Sequence, residues 1–167
     1  MDLRKLFLEQ LDREAAASRK VVERVPEGQN GWKPHERSME LGLLAALVAS
    51  MPGWLELMID RDVLDLDDPS GNFRTKPVQT RAELVKLVDN GLAKSRQALE
   101  NTTEAHLLTP WKLVMGGQVL TEGPRYSQIL DGALSHMAHH RGQLTVYLRL
   151  NEAKVPAIYG PSADEWH

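Results

Sequence analysis

The segment 41-LGLLAALVASMPGWL-55 is the longest stretch without a charged side chain in this 167-residue sequence. A membrane span needs about 20 predominantly apolar residues. Here there are 15, interrupted by Pro52-Gly53 and closed by Glu56. The stretch therefore reads as a helix buried in a protein core, N-capped by Ser38 and running from Met39 to about Asp60, with a kink or restart at Pro52. A helix that is apolar on most of its faces has to be covered by others.

Three further segments carry the pattern of such partners. Upstream, Leu3, Phe7, Leu11, Ala15, Val22 and Val25 fall near one face of a helix that ends at the breaker cluster Pro26 to Gly31. Downstream, Arg61 to Gln79 reads as a loop centred on Pro69-Ser70-Gly71-Asn72. Its Asp65, Asp67 and Asp68 lack the ligand spacing and terminal Glu of a calcium loop, which makes it a solvated acidic loop. Thr80-Arg81-Ala82-Glu83 is a capping box that opens a third helix, with Leu84, Val88, Leu92 and Leu99 on its buried stripe. Trp111 to Met115 and Gln118 to Thr121 flank Gly116-Gly117, a short hairpin signal. Pro124 precedes a fourth helix, roughly Tyr126 to Leu150, and the tail beyond Asn151 carries Pro156 and Pro161 and runs extended or irregular. The expectation is an all-α fold: one four-helix-bundle domain over residues 1–167, with a short β-hairpin between helices three and four. The long loop after helix two permits a crossover, so the helix order stays open.

Composition narrows the function. The chain is 42% hydrophobic and 26% charged, the balance of a domain with a packed core. Twenty Lys and Arg against 23 Asp and Glu leave a net charge of −3, which argues against a nucleic-acid partner. The absence of cysteine excludes disulfides, thiolate metal sites and a protein thiol nucleophile, so any metal must be held by His, Asp or Glu. Charge at Asp2, Arg4 and Lys5, with no apolar stretch before Glu9, fits neither a signal peptide nor a membrane anchor and points to the cytoplasm.

The chemistry, if any, lies in 134-LSHMAHHRGQ-143. His136 and His140 share the stripe of Ile129, Ala133, Leu144 and Tyr147, whereas His139 falls on another with Gly132, Ser135 and Gly142. Two imidazoles on an otherwise apolar stripe need partners, because each unpaired buried polar group costs about 1–3 kcal/mol. A divalent metal satisfies both at once, and His at i and i+4 is a helical ligand spacing. Hydrogen bonding to other helices would satisfy them equally well, and spacing does not separate the two. Gly132 and Gly142 read as places of close backbone approach. His35, His106 and His167 read as solvated, and Trp32, Trp54, Trp111 and Trp166 as packing or interface residues.

The run His136-Met137-Ala138-His139-His140-Arg141-Gly142-Gln143 resembles the HxxxHRGQ signature of the DinB-like (DinB/YfiT) superfamily. The tail Val155 to Glu165 is similar to the C-terminal signature of one branch, and Lys33 to Met39 to that branch's entry into helix two. The resemblance spans nearly the whole chain. It implies a four-helix bundle, usually a homodimer, with a divalent metal (nickel or zinc) between helices two and four. His136 and His140 would be ligands, and Arg141 or Gln143 would orient the groups around them. Relatives include bacillithiol S-transferases and mycothiol-dependent maleylpyruvate isomerase, so the implied chemistry is activation of a low-molecular-weight thiol for attack on an electrophile. The family name refers to DNA-damage induction of one relative and implies no polymerase activity. One feature departs from the pattern. The third histidine of the family, on helix two, aligns with Leu47, and Leu43, Leu44, Ser50 and Met51 around it offer no ligand. Glu40 lies two turns away, about 10 Å along the axis. The resemblance thus implies a degenerate site, giving either a thiol-dependent transferase or hydrolase with an altered metal centre, or a metal-poor bundle that binds without catalysis.

Overall fold

The computed structural model describes residues 2–69, 71 and 73–166. The readings of Ser70 and Asn72 as loop centre and of His167 as solvated fall outside the described residues. The chain is mostly helical, with a small three-stranded sheet. Helix α1 (Leu3–Val22) is N-capped by the Asp2 carboxylate, which accepts from the Arg4 and Lys5 amides. The apolar run forms α2 (Leu41–Ser50), a 3₁₀ turn (Met51–Gly53) and α3 (Trp54–Asp60). Pro52 lacks an N–H for the helical ladder, and the helix restarts at this point rather than running through. The cap is Glu40, with no side-chain bond, not Ser38. No residue of the run is exposed, and it serves the chain's own core.

Helix α4 (Arg81–Asn101) opens on the expected capping box, in which Thr80 Oγ1 accepts from the Glu83 amide and the Glu83 carboxylate accepts from the Thr80 amide. It packs on α1 and on the α2–α3 column. The closest approach is between Gly91 and the 3₁₀ turn, where a Cβ on Gly91 would stand 2.7 Å from the Gly53 nitrogen. A short helix α5 (Glu104–Leu107), not expected from the sequence, follows. Strands β2 (Pro110–Met115) and β3 (Gln118–Pro124) form the expected hairpin, turning on Gly116 and Gly117, both at positive φ (59° and 72°). Such a turn needs left-handed backbone, which glycine adopts without cost.

The all-α expectation is corrected by a third strand. β1 (Val63–Asp65) lies inside the segment read as loop and pairs parallel with β2, Leu64 opposite Leu113. A parallel pair needs a crossover, which α4 and α5 supply. Three residues are too few to show a period in the sequence. The last column is also divided. α6 (Arg125–Gln128) leads through a π-helical segment (Ile129–Ser135) into α7 (His136–Leu150). Gly132 fits the expectation of close approach, since a Cβ there would lie 3.2 Å from Met58 Cε, but Gly142 faces open space.

Two rungs fix this divided last column against the α2–α3 column. Tyr147 donates its hydroxyl to the Met39 carbonyl at 3.1 Å, and Arg125 Nη1 donates to the Met58 carbonyl. The columns are therefore antiparallel.

Candidate functional site

His136 begins α7 directly after the π segment, a distortion often found where a helix has to re-aim functional side chains. Its backbone N–H bonds the Ala133 carbonyl, and its ring Nδ1 lies 3.3 Å from the Gly132 carbonyl. One turn on, His140 Nδ1 lies 2.8 Å from Gln143 Oε1. The Gln143 amide nitrogen in turn meets His139 Nε2 at 3.1 Å, so Gln143 is held from two sides. The two Nε2 atoms lie 2.9 Å apart, within hydrogen-bonding distance. A proton on one Nε2 donated to the other satisfies both rings, and a metal ion between two Nε2 lone pairs would satisfy them equally.

The stripe reading is half right. Ile129, Ala133, Leu144 and Tyr147 are buried, but His136 and His140 are only half-buried, with Trp54 edge-on against the His136 ring at 5.5 Å. Burial pushes the His140 pKa below its ordinary value; the hydrogen bond to Gln143 opposes it, and the neighbouring His136 and His139 each add a smaller downward push. The neutral, ligating form is thereby favoured. His139 is exposed, and His35 is exposed with Nδ1 accepting from the Arg37 amide. His106 corrects the solvated reading: its Nε2 sits 2.9 Å from the Ile59 carbonyl.

Arg141, which the resemblance placed among the groups orienting the site, does something else. It is 1% exposed and turns away to α1, where Nη2 meets the buried Glu14 carboxylate at 2.5 Å and Nη1 donates to the Glu14 carbonyl at 3.0 Å. Tyr159 of the tail donates its hydroxyl to the same carboxylate at 2.6 Å. Asp164 pairs with Arg149 and Glu165 with Arg24, and both carboxylates accept from tail amides (Val155 and Ala157). The tail signature is thus a strap tied to α1 and α7. The sequence reading missed Glu14 altogether, because an acid on an amphipathic helix gives no sign that it faces inward.

These are the residues of the family signature, held in one arrangement with the tail that accompanies them. A DinB family model matches residues 1–167. The chain belongs to the DinB family. It is 26% identical over 167 residues to the uncharacterised protein YrdA of Bacillus subtilis (strain 168), covering 96% of this chain and 90% of that one. The DinB-like protein YjoA of Bacillus subtilis has the same fold, with a TM-score of 0.66 at 20% identity over 96% of this chain and 98% of that one. A DinB-family structure from Exiguobacterium sibiricum 255-15 gives 0.65 at 19% identity, over 91% and 93% of the two chains.

Metal ligation in this DinB chain depends on its donor set. Zinc–nitrogen bonds of about 2.0–2.1 Å at a tetrahedral angle put two ligand nitrogens roughly 3.3 Å apart, a few tenths more than the 2.9 Å found between the imidazoles. Two donors therefore fit. Among the described residues, no third His, Asp or Glu joins them. Leu47, the position that the resemblance aligns with the third histidine, is half-buried on α2, which packs against α7. The set is one donor short of a catalytic zinc site.

Proposed function

We propose that this DinB-family protein is a four-helix bundle that binds a divalent ion, nickel or zinc, weakly through His136 and His140. The facing Nε2 atoms, 2.9 Å apart, are the observation that carries this reading. Gln143 would hold the His140 ring in its ligating tautomer, as a partner behind a metal-bound histidine does. Bound there, the ion would supply Lewis-acid activation of a low-molecular-weight thiol, and the family resemblance supports thiol-dependent transfer or hydrolysis as the reaction. The missing third donor supports a second reading, a bundle that binds ligands in the cytoplasm without catalysis. We also propose a homodimer, supported by Val146 and Leu150, which lie four apart on α7 and are 57% and 54% exposed. Sedimentation at tens of micromolar decides that point, and a species of 18.7 kDa would reject it.

Long-range proton–nitrogen NMR of the histidine rings during zinc titration tests the metal reading. His136 and His140 Nε2 should move together at a zinc concentration that leaves His35 unchanged. Movement confined to His35 and His139 would mean only adventitious surface binding, and the proposal would fail.

A further inference from the structure

Beneath the hairpin, between α3, the sheet and the π segment, lies a cavity of about 230 Å³. Protein interiors hold few voids larger than one water molecule, and a water needs polar partners that an apolar wall does not offer. Trp54, Met58, Leu64, Phe73 and Leu113 belong to this almost entirely apolar wall. Among the described residues it includes no carboxylate, lysine or arginine. Thr121 and Gln128, hydrogen-bonded to each other at 2.9 Å, bring polarity on the solvent side, where Thr121 is exposed. His136 belongs both to this wall and to the facing imidazole pair. A molecule in the cavity therefore lies against a ring of the candidate metal site.

We propose that the cavity holds the apolar body of that site's substrate, an uncharged molecule whose hydrocarbon part is bound by burial and shape alone. That it serves a substrate rests on the metal reading; that it takes such a body does not, since no wall contact requires the ion. Size and lining define the class. An apolar cavity of about 150 Å³ holds benzene, which scales here to about nine or ten non-hydrogen atoms, the size of a substituted benzene. Burial of that much hydrocarbon is favourable without any hydrogen bond, at about 25 cal/mol per Å² removed from water. A charged molecule is excluded, because it would lose its hydration without gaining a partner in the wall.

Two probes with the same number of non-hydrogen atoms test the class. α-Methylstyrene is an uncharged hydrocarbon, and benzoate carries a carboxylate in place of its branched end. Each is titrated into the intact protein near neutral pH with a chelator present, and proton NMR follows the Met58 methyl, the His136 ring and the Val146 methyls. α-Methylstyrene should bind, with Overhauser contacts to Met58 and His136 and none to the exposed Val146. Benzoate should bind at least ~100-fold more weakly, since a carboxylate with an ordinary pKa near 4 is neutral in only about one molecule in a thousand at neutral pH. Leu113→Trp enlarges a wall residue and should weaken α-methylstyrene at least ~10-fold. Should that variant not fold, the contacts in the natural chain decide alone. No binding of α-methylstyrene up to its solubility, benzoate binding as tight, contacts confined to Val146, or unchanged affinity in a folded Leu113→Trp overturns the proposal. Zinc titration run separately keeps the two readings apart. Zinc binding without hydrocarbon binding ends the subsite and leaves the metal reading; hydrocarbon binding without zinc binding ends the metal reading and leaves the cavity as an apolar ligand site.

Discussion

Replacing Glu14 with alanine removes the carboxylate paired with the Arg141 guanidinium, which is 1% exposed. The side chains of Arg141 and Glu14 are 1% and 5% exposed, so solvent does not screen the pair and cannot take over when one partner is lost. Removing one member of such a pair costs about 3–5 kcal/mol, because an uncompensated charge stays behind. For a domain of this length each kcal/mol shifts the melting temperature by about 2–4 °C, which puts the expected drop at roughly 6–20 °C. Urea unfolding followed by circular dichroism, checked by calorimetry, measures it. The double replacement Glu14→Leu with Arg141→Met leaves no charge buried between α1 and α7 and should recover at least half of the loss. A loss below about 1 kcal/mol for Glu14→Ala would refute the reasoning, since it would mean that water reaches Arg141 once the carboxylate is gone.

The strap and the helix contacts give further expectations. The Tyr159 phenol is held above its ordinary pKa, first by burial and then by its hydrogen bond to Glu14. The folded chain therefore keeps that proton longer than the unfolded one, and the stabilisation is whole below about pH 10 and lost as pH rises through the folded value; Tyr159→Phe should flatten the decline in urea midpoint over that window, and an unchanged slope would contradict the strap. Gly91→Ala should destabilise by about 1–3 kcal/mol although alanine favours a helix by about 1 kcal/mol, since its Cβ would meet the backbone of Gly53 and Pro52. A stabilised Gly91→Ala in urea unfolding would show that the 3₁₀ turn yields.

The long elements were legible because each carries a full-length period with punctuation of its own. The Thr80–Glu83 box, the Gly116-Gly117 turn and the Pro52 restart all sit where residue chemistry leaves little choice. What escaped was short or depended on tertiary pairing. β1 has three residues and no alternation, and the π segment differs from an α-helix only in its hydrogen-bond register. Arg125 is fully buried at the start of α6, held by the Met58 and Arg61 carbonyls and the Asp62 carboxylate, and no local pattern announces an inward-facing arginine. The His136–His140 pair was readable from spacing, and its family from the surrounding signature. The spacing could not show that the two Nδ1 atoms lie beside Gln143 Oε1 and the Gly132 carbonyl, because that depends on ring orientation.

The claim that His136 and His140 form a two-donor site completed in relatives at the position of Leu47 is tested most directly by titration calorimetry of nickel and zinc. Three proteins are needed: the natural chain, Leu47→His, and Leu47→His with His140→Ala. Loss of a partner behind a ligand already costs about 10- to 100-fold in affinity, so an imidazole at position 47, which the resemblance aligns with the third ligand, should strengthen binding at least ~10-fold. The account predicts weak binding by the natural chain, a gain of that size in Leu47→His, and its disappearance when His140 is removed. Tight binding by the natural chain that Leu47→His leaves unchanged would contradict it and place the third ligand elsewhere.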